Sequence, residues 1–455
     1  SVSTSIGAAT PAGEEVTSGS ASKATPAKTL VAMSPTRDAN ECQAVVGKIR
    51  KDEFGIGLVA APGWESVIQN QQARLQRAMK RLSHELYSQD VHLLLEIIQN
   101  ADDNRYVDGI IPTICIALTE VGMGVGNNEL GFREKDIRAI CDVGRSTKTG
   151  VKEGATGSAE GAKTIGEKGI GFKSVFHITD EPHVYSNGFH IKFDANDPTG
   201  LGYVLPHWVE NAPVTRQLLP TPGADEGGGE EWRTQFWMPV SQRFLENDAW
   251  NKLSRRIGEV QPSMLLFLHR IRSIMVHDQL RQEVREMRRV DGADGLVTIS
   301  MHKKVEDTTS KNKIYKAVQQ TQTFLLVKHS IDTPAQAKAG AGAKTDIVVA
   351  LPMNEDGSSD GTTRQKVCAY LPLRSYGFRF ALHADWIVPS SREEVVKGNA
   401  WTEWLRGEVP SAFMEAVRIA KTRDAMRSTF YHFIPREDEL SGFFRSTASS
   451  ILQGL

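Results

Sequence analysis

One apolar helix with a polar stripe constrains this chain more than any other feature. The segment VHLLLEIIQNADDN is almost wholly apolar through its middle except for Glu96 and the pair Gln99 and Asn100. Residues four apart share a helix face, so Glu96 and Asn100 point the same way out of a helix that must otherwise be buried. Two interpretations follow: a carboxylate and an amide that act together in a site, or a buried Glu held by a backbone or arginine partner.

Glycine-rich motifs follow this helix in a defined order. GNNELGF and DVGRSTKTG precede IGEKGIGFKS, in which Gly166, Gly169 and Gly171 stand close together. Such a loop before an apolar run that can start a helix offers bare backbone amides to phosphate oxygens. Glycines at this density also mark ordinary turns. This loop alone is therefore a weak indication of a phosphate site, and its value lies in the order of the motifs around it.

Length and charge limit the possible classes. A chain of 455 residues exceeds a usual domain of about 100 to 200 residues, which predicts two or three packed units. The 54 basic and 55 acidic residues give a net charge of −1. A nucleic-acid or anionic-membrane surface built on bulk charge is therefore not expected. With 40% hydrophobic and 24% charged residues, most of the chain should fold.

Cysteine spacing and hydropathy predict the cellular compartment of the protein. The four cysteines show neither a disulfide framework nor the ligand spacing of a zinc site. No uncharged run approaches the roughly 18 residues that a membrane span needs, and no basic flank with an apolar run opens the chain. We expect a protein without a membrane partner in a reducing compartment, intracellular and either cytoplasmic or nuclear.

The chain divides into three predicted regions. Residues 1–40 are dominated by Ser, Thr, Ala, Gly and Pro, which predicts a disordered low-complexity tail. Residues 41–245 hold the motifs above, and residues 246–455 form a second unit rich in strand patterns. Apolar spacing predicts helices at 41–50 and 71–101, and strands at 113–118, 183–193, 234–240, 295–301, 323–327, 346–351, 367–371 and 378–388.

The basic stretch HRIRSIMVHDQLRQEVREMRR, residues 269–289, alternates with acidic and apolar residues. This composition is more typical of a solvated helix or a strand edge than of a nucleic-acid groove.

The order and wording of the motifs resemble the GHKL superfamily of ATP-binding domains. Within it, LLLEIIQNADDN, GFREKDIRAICDVGRSTKTG and TIGEKGIGFKSVFHITDEPHVYSNGFHIKFD are similar to the sacsin and NO VEIN-like branch, over about residues 70–240. The resemblance implies an α+β fold class: a Bergerat (histidine kinase-like ATPase) α/β sandwich, with nucleotide between the helices and the sheet, followed by a mixed α/β middle-like domain.

The resemblance also implies catalytic roles. Asn100 matches the asparagine that binds Mg²⁺ alongside the phosphates of ATP, and Glu96 matches the base that deprotonates the attacking water. A carboxylate one helical turn before the metal ligand is suitably placed for this role. Histidine kinases generally lack a carboxylate at this position, so Glu96 favours hydrolysis over phosphotransfer to a histidine.

The adenine motif departs from the usual DxGxG of the superfamily. Asn127 stands in place of the aspartate, Glu129 replaces a glycine, and Gly131 is retained. An Asn oxygen can still accept a hydrogen bond from the exocyclic amine, whereas its NH₂ needs another acceptor. We therefore expect adenine binding to survive with reduced affinity. Thr234 matches the threonine that closes the adenine side of the pocket.

Residues 144–166 correspond to a lid over the nucleotide, and their Gly, Ala and Ser content predicts mobility until ATP binds. Lys148 in this segment either contacts phosphate or belongs to a solvated hinge. The full predicted nucleotide-binding set is Asn100, Asp103, Asn127, Gly131, Lys148, Gly166, Lys168, Gly169, Ile170, Gly171, Phe172 and Thr234.

A second resemblance concerns the segment YLPLRSYGFRFALHADWIVPSSREEVV. It is similar to the part of the heat-shock chaperone middle domain that ends in a Ser-Arg-Glu turn, whose arginine reaches the γ-phosphate. Arg392 matches that arginine, and a cationic fork on a separate domain would couple hydrolysis to domain closure. The alternative is a helix start, with Glu393 and Glu394 in the first turn.

Together these features predict an ATP- and Mg²⁺-dependent, chaperone-like clamp with slow hydrolysis, an unknown protein client and a possible ATP-dependent dimer. The alternatives are a nucleotide sensor that binds ATP without significant turnover, and a scaffold whose nucleotide pocket only stabilises an interaction surface.

Overall fold

One mixed β-sheet runs through both halves of the chain. The computed structural model describes residues 37–59, 61–85, 90–143, 171–211, 218–220, 231–307, 314–334, 344–389 and 393–455. Helices pack against this sheet, which gives the α+β class that the sequence predicts.

The helices frame the sheet at several places. None of the helices in the described ranges is both long and apolar enough to cross a lipid bilayer. Their bounds are α1 Ala39–Asp52, α2 Glu65–Glu85, α3 Asp90–Asp102, α4 Glu134–Ile140, α5 Gln242–Leu245, α6 Ala249–Gly258, α7 Ala400–Lys421, α8 Asp424–Arg427 and α9 Thr447–Gly454.

The strands form a sheet in which most neighbours in space are antiparallel. Their bounds are β1 Thr113–Leu118, β2 Gly122–Asn127, β3 His183–Ser186, β4 Phe189–Lys192, β5 His207–Trp208, β6 Thr234–Pro239, β7 Ser273–Asp278, β8 Glu283–Asp291, β9 Leu296–Asp307, β10 Ile314–Asp332, β11 Lys344–Met353, β12 Val367–Ala369, β13 Leu371–Pro372 and β14 Ala381–His383. The order in space is β13-β12-β14-β11-β10-β9-β8-β7-β1-β2-β6-β3-β4-β5.

A parallel pair joins the two halves of the sheet. β1 runs beside β7 from the pair Thr113 and Ser273 to the pair Leu118 and Asp278. Parallel neighbours need a long crossover, and here the chain completes β2 to β6 and helix α6 before it returns as β7. Both halves therefore share one continuous ladder of backbone hydrogen bonds.

The basic stretch 269–289 is neither a solvated helix nor a sheet edge, so that expectation is wrong. Most of it forms β7 and β8, a hairpin that lies between β1 and β9. Ile274, Val276 and Met287 are buried, whereas Arg285 donates hydrogen bonds to the carbonyl groups at the end of α6. The charge of Arg285 does not indicate an exposed position, because backbone carbonyl groups accept the hydrogen bonds of its buried guanidinium group.

Glu393 and Glu394 do not lie in the first turn of a helix, so that alternative for PSSREE is wrong. Residues 393 and 394 lie in a bend, and α7 begins at Ala400. Its N-cap is Asn399, whose side chain accepts hydrogen bonds from the backbone N–H groups of Trp401, at 3.0 Å, and Thr402. Arg392 lies outside the described residues.

Two large hydrophobic cores lie along the sheet. The first packs α1, α3 and the Gly171–His177 3₁₀-helix against the central strands, and it includes Phe244 and Trp250 on either side of residue 245. The second packs α7 and α9 against β10 to β14. The predicted division at 245 stays a prediction, while the side chains there share one core.

Asp102, at the end of α3, ties that helix to the strand that joins the two halves. It is fully buried, and its carboxylate accepts hydrogen bonds from three consecutive backbone N–H groups, those of His269, Arg270 and Ile271, at 2.8 to 2.9 Å. The Arg270 guanidinium also donates to the Asp102 carbonyl group at 3.1 Å. The loop that enters β7 is therefore held by one carboxylate.

We expect Asp102→Asn to destabilise the protein by about 2 kcal/mol or more, because an amide offers one acceptor oxygen to three donors and turns an NH₂ toward them. Urea unfolding followed by fluorescence measures the effect as a lower midpoint. The matched control Asp108→Asn removes an exposed carboxylate and should change stability by less than about 0.5 kcal/mol. Equal midpoints for the two variants would contradict this prediction.

Candidate functional site

The glycine motif ends against the polar stripe of α3. A β-carbon built on Gly171 would overlap the Glu96 carboxylate and lie 3.5 Å from Asn100 Nδ2. Glu96 and Asn100 are both partly exposed, whereas Gln99 between them is buried. Three residues that the sequence singles out therefore lie together, and a side chain at position 171 would displace the Glu96 carboxylate from its present position.

Phe172, the next residue, packs its ring against the sheet. Its ring lies 6.0 Å from that of Phe236 on β6 and 5.7 Å from that of Phe193, measured between centroids. The segment that follows is a seven-residue 3₁₀-helix, Gly171–His177. Phe172 is predicted to bind nucleotide, and the contacts of its side chain include these two rings and the Lys173 ammonium group, 5.4 Å from the ring centroid.

Lys173 is a fully buried cation directly behind the glycine motif, and the sequence reasoning did not assign it a role. Its ammonium group donates hydrogen bonds to the carbonyl groups of Ile140 and Tyr203, the latter at 2.8 Å. Burial lowers the pKa of Lys173 to about 8. The local sequence GFKS does not show that Lys173 is buried, because the carbonyl groups that accept its hydrogen bonds belong to residues distant in sequence.

Asn127, Thr234 and Ser186 lie side by side on β2, β6 and β3. Directly opposed residues of antiparallel strands point to the same face of the sheet, so these three side chains form one row. All three are buried. The row brings two predicted adenine-site residues together and adds Ser186, which only the strand register reveals.

Glu129, which replaces a motif glycine, ends a chain of hydrogen bonds along this row. The Phe132 N–H donates to Ser186 Oγ at 2.8 Å, Ser186 Oγ and Thr234 Oγ1 are 2.6 Å apart, and Thr234 donates to the Glu129 carboxylate. Burial raises the pKa of Glu129, although the bond from Thr234 acts in the opposite direction. The Thr234 hydroxyl proton is therefore committed to Glu129.

The Asn127 amide is enclosed by polar groups from three segments. Tyr106 Oη lies 2.8 Å from Asn127 Nδ2, the Thr113 carbonyl oxygen lies 3.0 Å from Nδ2, and Asn104 Nδ2 lies 3.5 Å from Oδ1. The acceptor that the Asn127 NH₂ was expected to need is therefore present.

Two further predicted site residues, Gly131 and Asp103, lie in the described part of the chain. Gly131 has a φ of +87°, a conformation that side chains rarely adopt, and a β-carbon there would lie 2.6 Å from that of Asn187. Asp103 is buried at the end of α3, where its backbone N–H donates to the Gln99 carbonyl group at 3.0 Å.

The remaining predicted site residues lie outside the described ranges. They are Lys148, Gly166, Lys168, Gly169, Ile170 and Arg392.

Comparisons with known proteins support one branch of the resemblance. The sequence model of the Sacsin domain family matches residues 119–212, which contain Asn127, Gly131, Gly171 and Phe172. The class that these findings support is the sacsin and NO VEIN-like group of proteins.

Two relatives belong to that group. The chain is 34% identical to Protein NO VEIN of Arabidopsis thaliana over 425 residues, which are 90% of this chain and 14% of that protein. It is 27% identical to human Sacsin over 238 residues, which are 48% of this chain and 5% of that protein. The chain therefore corresponds to a small part of each relative.

We expect the buried Lys173 ammonium to make stability depend on pH. Between about pH 8, the pKa in the folded protein, and 10.5, its ordinary value, the unfolded chain binds the proton that the folded chain has lost. The contribution of Lys173 to the free energy of unfolding therefore rises with pH in this window, by up to about 3 kcal/mol, as the cost of burying the charge disappears.

Urea unfolding at pH 7 to 10 tests this expectation by comparing wild type with Lys173→Met, which should lack the rise. The control Phe176→Leu shrinks a neighbouring buried side chain without removing an ionisable group, so it should keep the wild-type pH dependence. Parallel curves for wild type and Lys173→Met would show that the lysine is not the source.

Proposed function

We propose that this chain binds ATP with Mg²⁺ and hydrolyses the ATP slowly, as part of a chaperone-like clamp. The observation that carries the proposal is the contact of Gly171 with Glu96 and Asn100. It brings the end of a glycine motif, whose backbone amides suit phosphate oxygens, to a carboxylate and an amide on one helix face. GHKL superfamily membership is part of this proposal.

The residues fit a magnesium nucleotide. Mg²⁺ prefers oxygen ligands, commonly takes only one or two from the protein and takes the rest from phosphates and water, so the Asn100 side-chain oxygen is a suitable ligand. Among the residues with described positions, no group of three or more His, Cys, Asp or Glu could hold a metal ion. When bound, Mg²⁺ would neutralise charge on the phosphates.

Glu96 is the group that would take a proton from the attacking water. Its carboxylate is partly exposed and lies directly against Gly171, where any side chain would intrude. A general base must lie within hydrogen-bond reach of its water, and the position of Glu96 beside the end of the proposed phosphate loop supports this role. Arg392 is proposed to add positive charge from the second unit.

The connection between α3 and the second half supports a clamp. Asp102 follows Asn100 by two residues and holds the backbone of His269, Arg270 and Ile271. A shift of α3 on nucleotide binding would therefore move the backbone that precedes β7, because the two are joined by direct hydrogen bonds. The protein client and an ATP-dependent dimer remain parts of the proposal, because this chain spans only 14% and 5% of its two relatives.

A nucleotide sensor or scaffold without significant turnover is the alternative. Glu129 in the altered adenine motif favours it, because the Thr234 hydroxyl that would otherwise serve the adenine side donates to this carboxylate. Weakened adenine binding would suit a protein that reports nucleotide concentration.

We expect Glu96→Gln to bind ATP within about threefold of wild type and to release phosphate about 100-fold more slowly, because the amide cannot accept the proton. Calorimetry with ATP, ADP and GTP, followed by a phosphate-release assay, measures both properties. The control Glu120→Gln replaces an exposed glutamate and should behave as wild type.

The outcomes of this experiment separate the candidate functions. Phosphate release by wild type above the protein-free rate, matched by Glu96→Gln, would exclude Glu96 as the base. Wild-type protein that binds ATP but releases phosphate no faster than a protein-free control is the result for a sensor or scaffold. A failure of wild type to bind any nucleotide would remove all of these functions.

We also expect a nonhydrolysable ATP analogue to reduce the radius of gyration of wild type, because Arg392 would draw the second unit toward the γ-phosphate. Small-angle scattering measures the change. Arg392→Ala should show no compaction, whereas Arg364→Ala, which removes an exposed arginine elsewhere in the second unit, should compact normally. An unchanged radius in wild type would contradict the clamp.

A further inference from the structure

Tyr106 connects the helix of the proposed catalytic residues to the altered adenine motif. It is partly buried between α3 and β2, and its hydroxyl oxygen lies 2.7 Å from the Ala101 carbonyl oxygen. The same oxygen lies 2.8 Å from Asn127 Nδ2 and 3.2 Å from Asn127 Oδ1. Burial raises the pKa of Tyr106, so its hydroxyl keeps the proton.

The hydroxyl proton of Tyr106 can take part in only one of these hydrogen bonds. Two oxygens 2.7 Å apart need a proton between them, and the Ala101 carbonyl group cannot supply it. Tyr106 must therefore donate to Ala101, which leaves its oxygen as an acceptor toward Asn127. The amide group of Asn127 must then turn its NH₂, rather than its oxygen, to Tyr106.

The Thr113 carbonyl group independently requires the same orientation. It lies 3.0 Å from Asn127 Nδ2 and can only accept a hydrogen bond. Both amide protons of Asn127 therefore have acceptors, and exchanging the nitrogen and oxygen would place the amide oxygen against two acceptors. The orientation of the Asn127 amide is fixed by Tyr106 and Thr113 together.

This assignment leaves Asn127 Oδ1 with unused acceptor capacity. Among the described residues, the donor that faces it is Asn104 Nδ2, at a long 3.5 Å. Asn104 is only partly buried, so its weak bond can be exchanged for that of a ligand donor. The position thus accepts a hydrogen bond and offers none.

We propose that Tyr106 sets the base selectivity of the nucleotide site by fixing Asn127 Oδ1 as an acceptor, so that the site takes 6-aminopurine and rejects 6-oxopurine nucleotides. The proposal rests on the nucleotide-binding function proposed above. An unrestrained asparagine could turn its NH₂ to a 6-oxo group, whereas this amide cannot do so without losing both of its acceptors. Tyr106 acts through Asn127 and is a positioning residue.

Calorimetry of the full chain with ATP and with inosine triphosphate tests the proposal, because these nucleotides differ at the purine 6-position. We expect wild type to bind ATP at least about tenfold more tightly, since a 6-oxo group would face Asn127 Oδ1 without a proton between them. Tyr106→Phe should reduce this ratio to about threefold or less, because the amide then keeps only the Thr113 acceptor.

Two further variants allow the proposal to be tested even if Tyr106→Phe does not fold. Asn104→Ala removes a partly exposed competitor and should tighten ATP about twofold without tightening inosine triphosphate. The matched control Tyr376→Phe removes another buried tyrosine hydroxyl, which accepts from the Val395 N–H at 3.0 Å in the second core. It should keep the wild-type ratio.

The results distinguish this proposal from the one it rests on. Wild type that binds neither nucleotide overturns both. Wild type that binds the two nucleotides equally, a ratio unchanged in Tyr106→Phe, or equal effects of Asn104→Ala on both nucleotides overturns the selectivity proposal and leaves ATP binding standing.

Discussion

The arrangement of the two halves depends on the Asp102 carboxylate. It lies at the end of α3, is fully buried and accepts from three consecutive backbone N–H groups before β7. Unpaired buried donors are costly, so these amides need such an acceptor. Because β7 pairs with β1 in parallel, the same carboxylate stabilises the central junction of the sheet.

The candidate site uses the two faces of this anchored helix in different ways. Its buried residues fix α3 in the first core, while Glu96 and Asn100 lie toward Gly171. Behind the glycine, the Lys173 ammonium group donates to the carbonyl groups of Ile140, at the end of α4, and of Tyr203. A buried charge with carbonyl acceptors gives the segment a defined position, at a cost in stability that a neutral side chain would avoid.

Sequence patterns predicted β1 with its observed bounds. They missed β7 and β8, where charged residues are interspersed with the buried apolar ones. They also missed β2, GMGVGN, because glycine is depleted in strands. A β-carbon at Gly122 would lie 2.8 Å from the Trp237 ring, and one at Gly126 would lie 2.7 Å from the Trp232 ring. These glycines make room for tryptophans that are distant in sequence, so local propensity could not identify the strand.

The same limit applies to the site, where motif order predicted that Glu96, Asn100 and Gly171 act together but could not identify Tyr106 or Ser186. Both depend on strand register and on the direction of single hydrogen bonds. Asn127 and Glu129 look like independent losses from the adenine motif, yet each has acquired partners: Tyr106 and Thr113 for the amide, Thr234 for the carboxylate. Buried polar groups need such partners. The residues at 127 and 129 therefore form a satisfied polar network, whatever the segment binds.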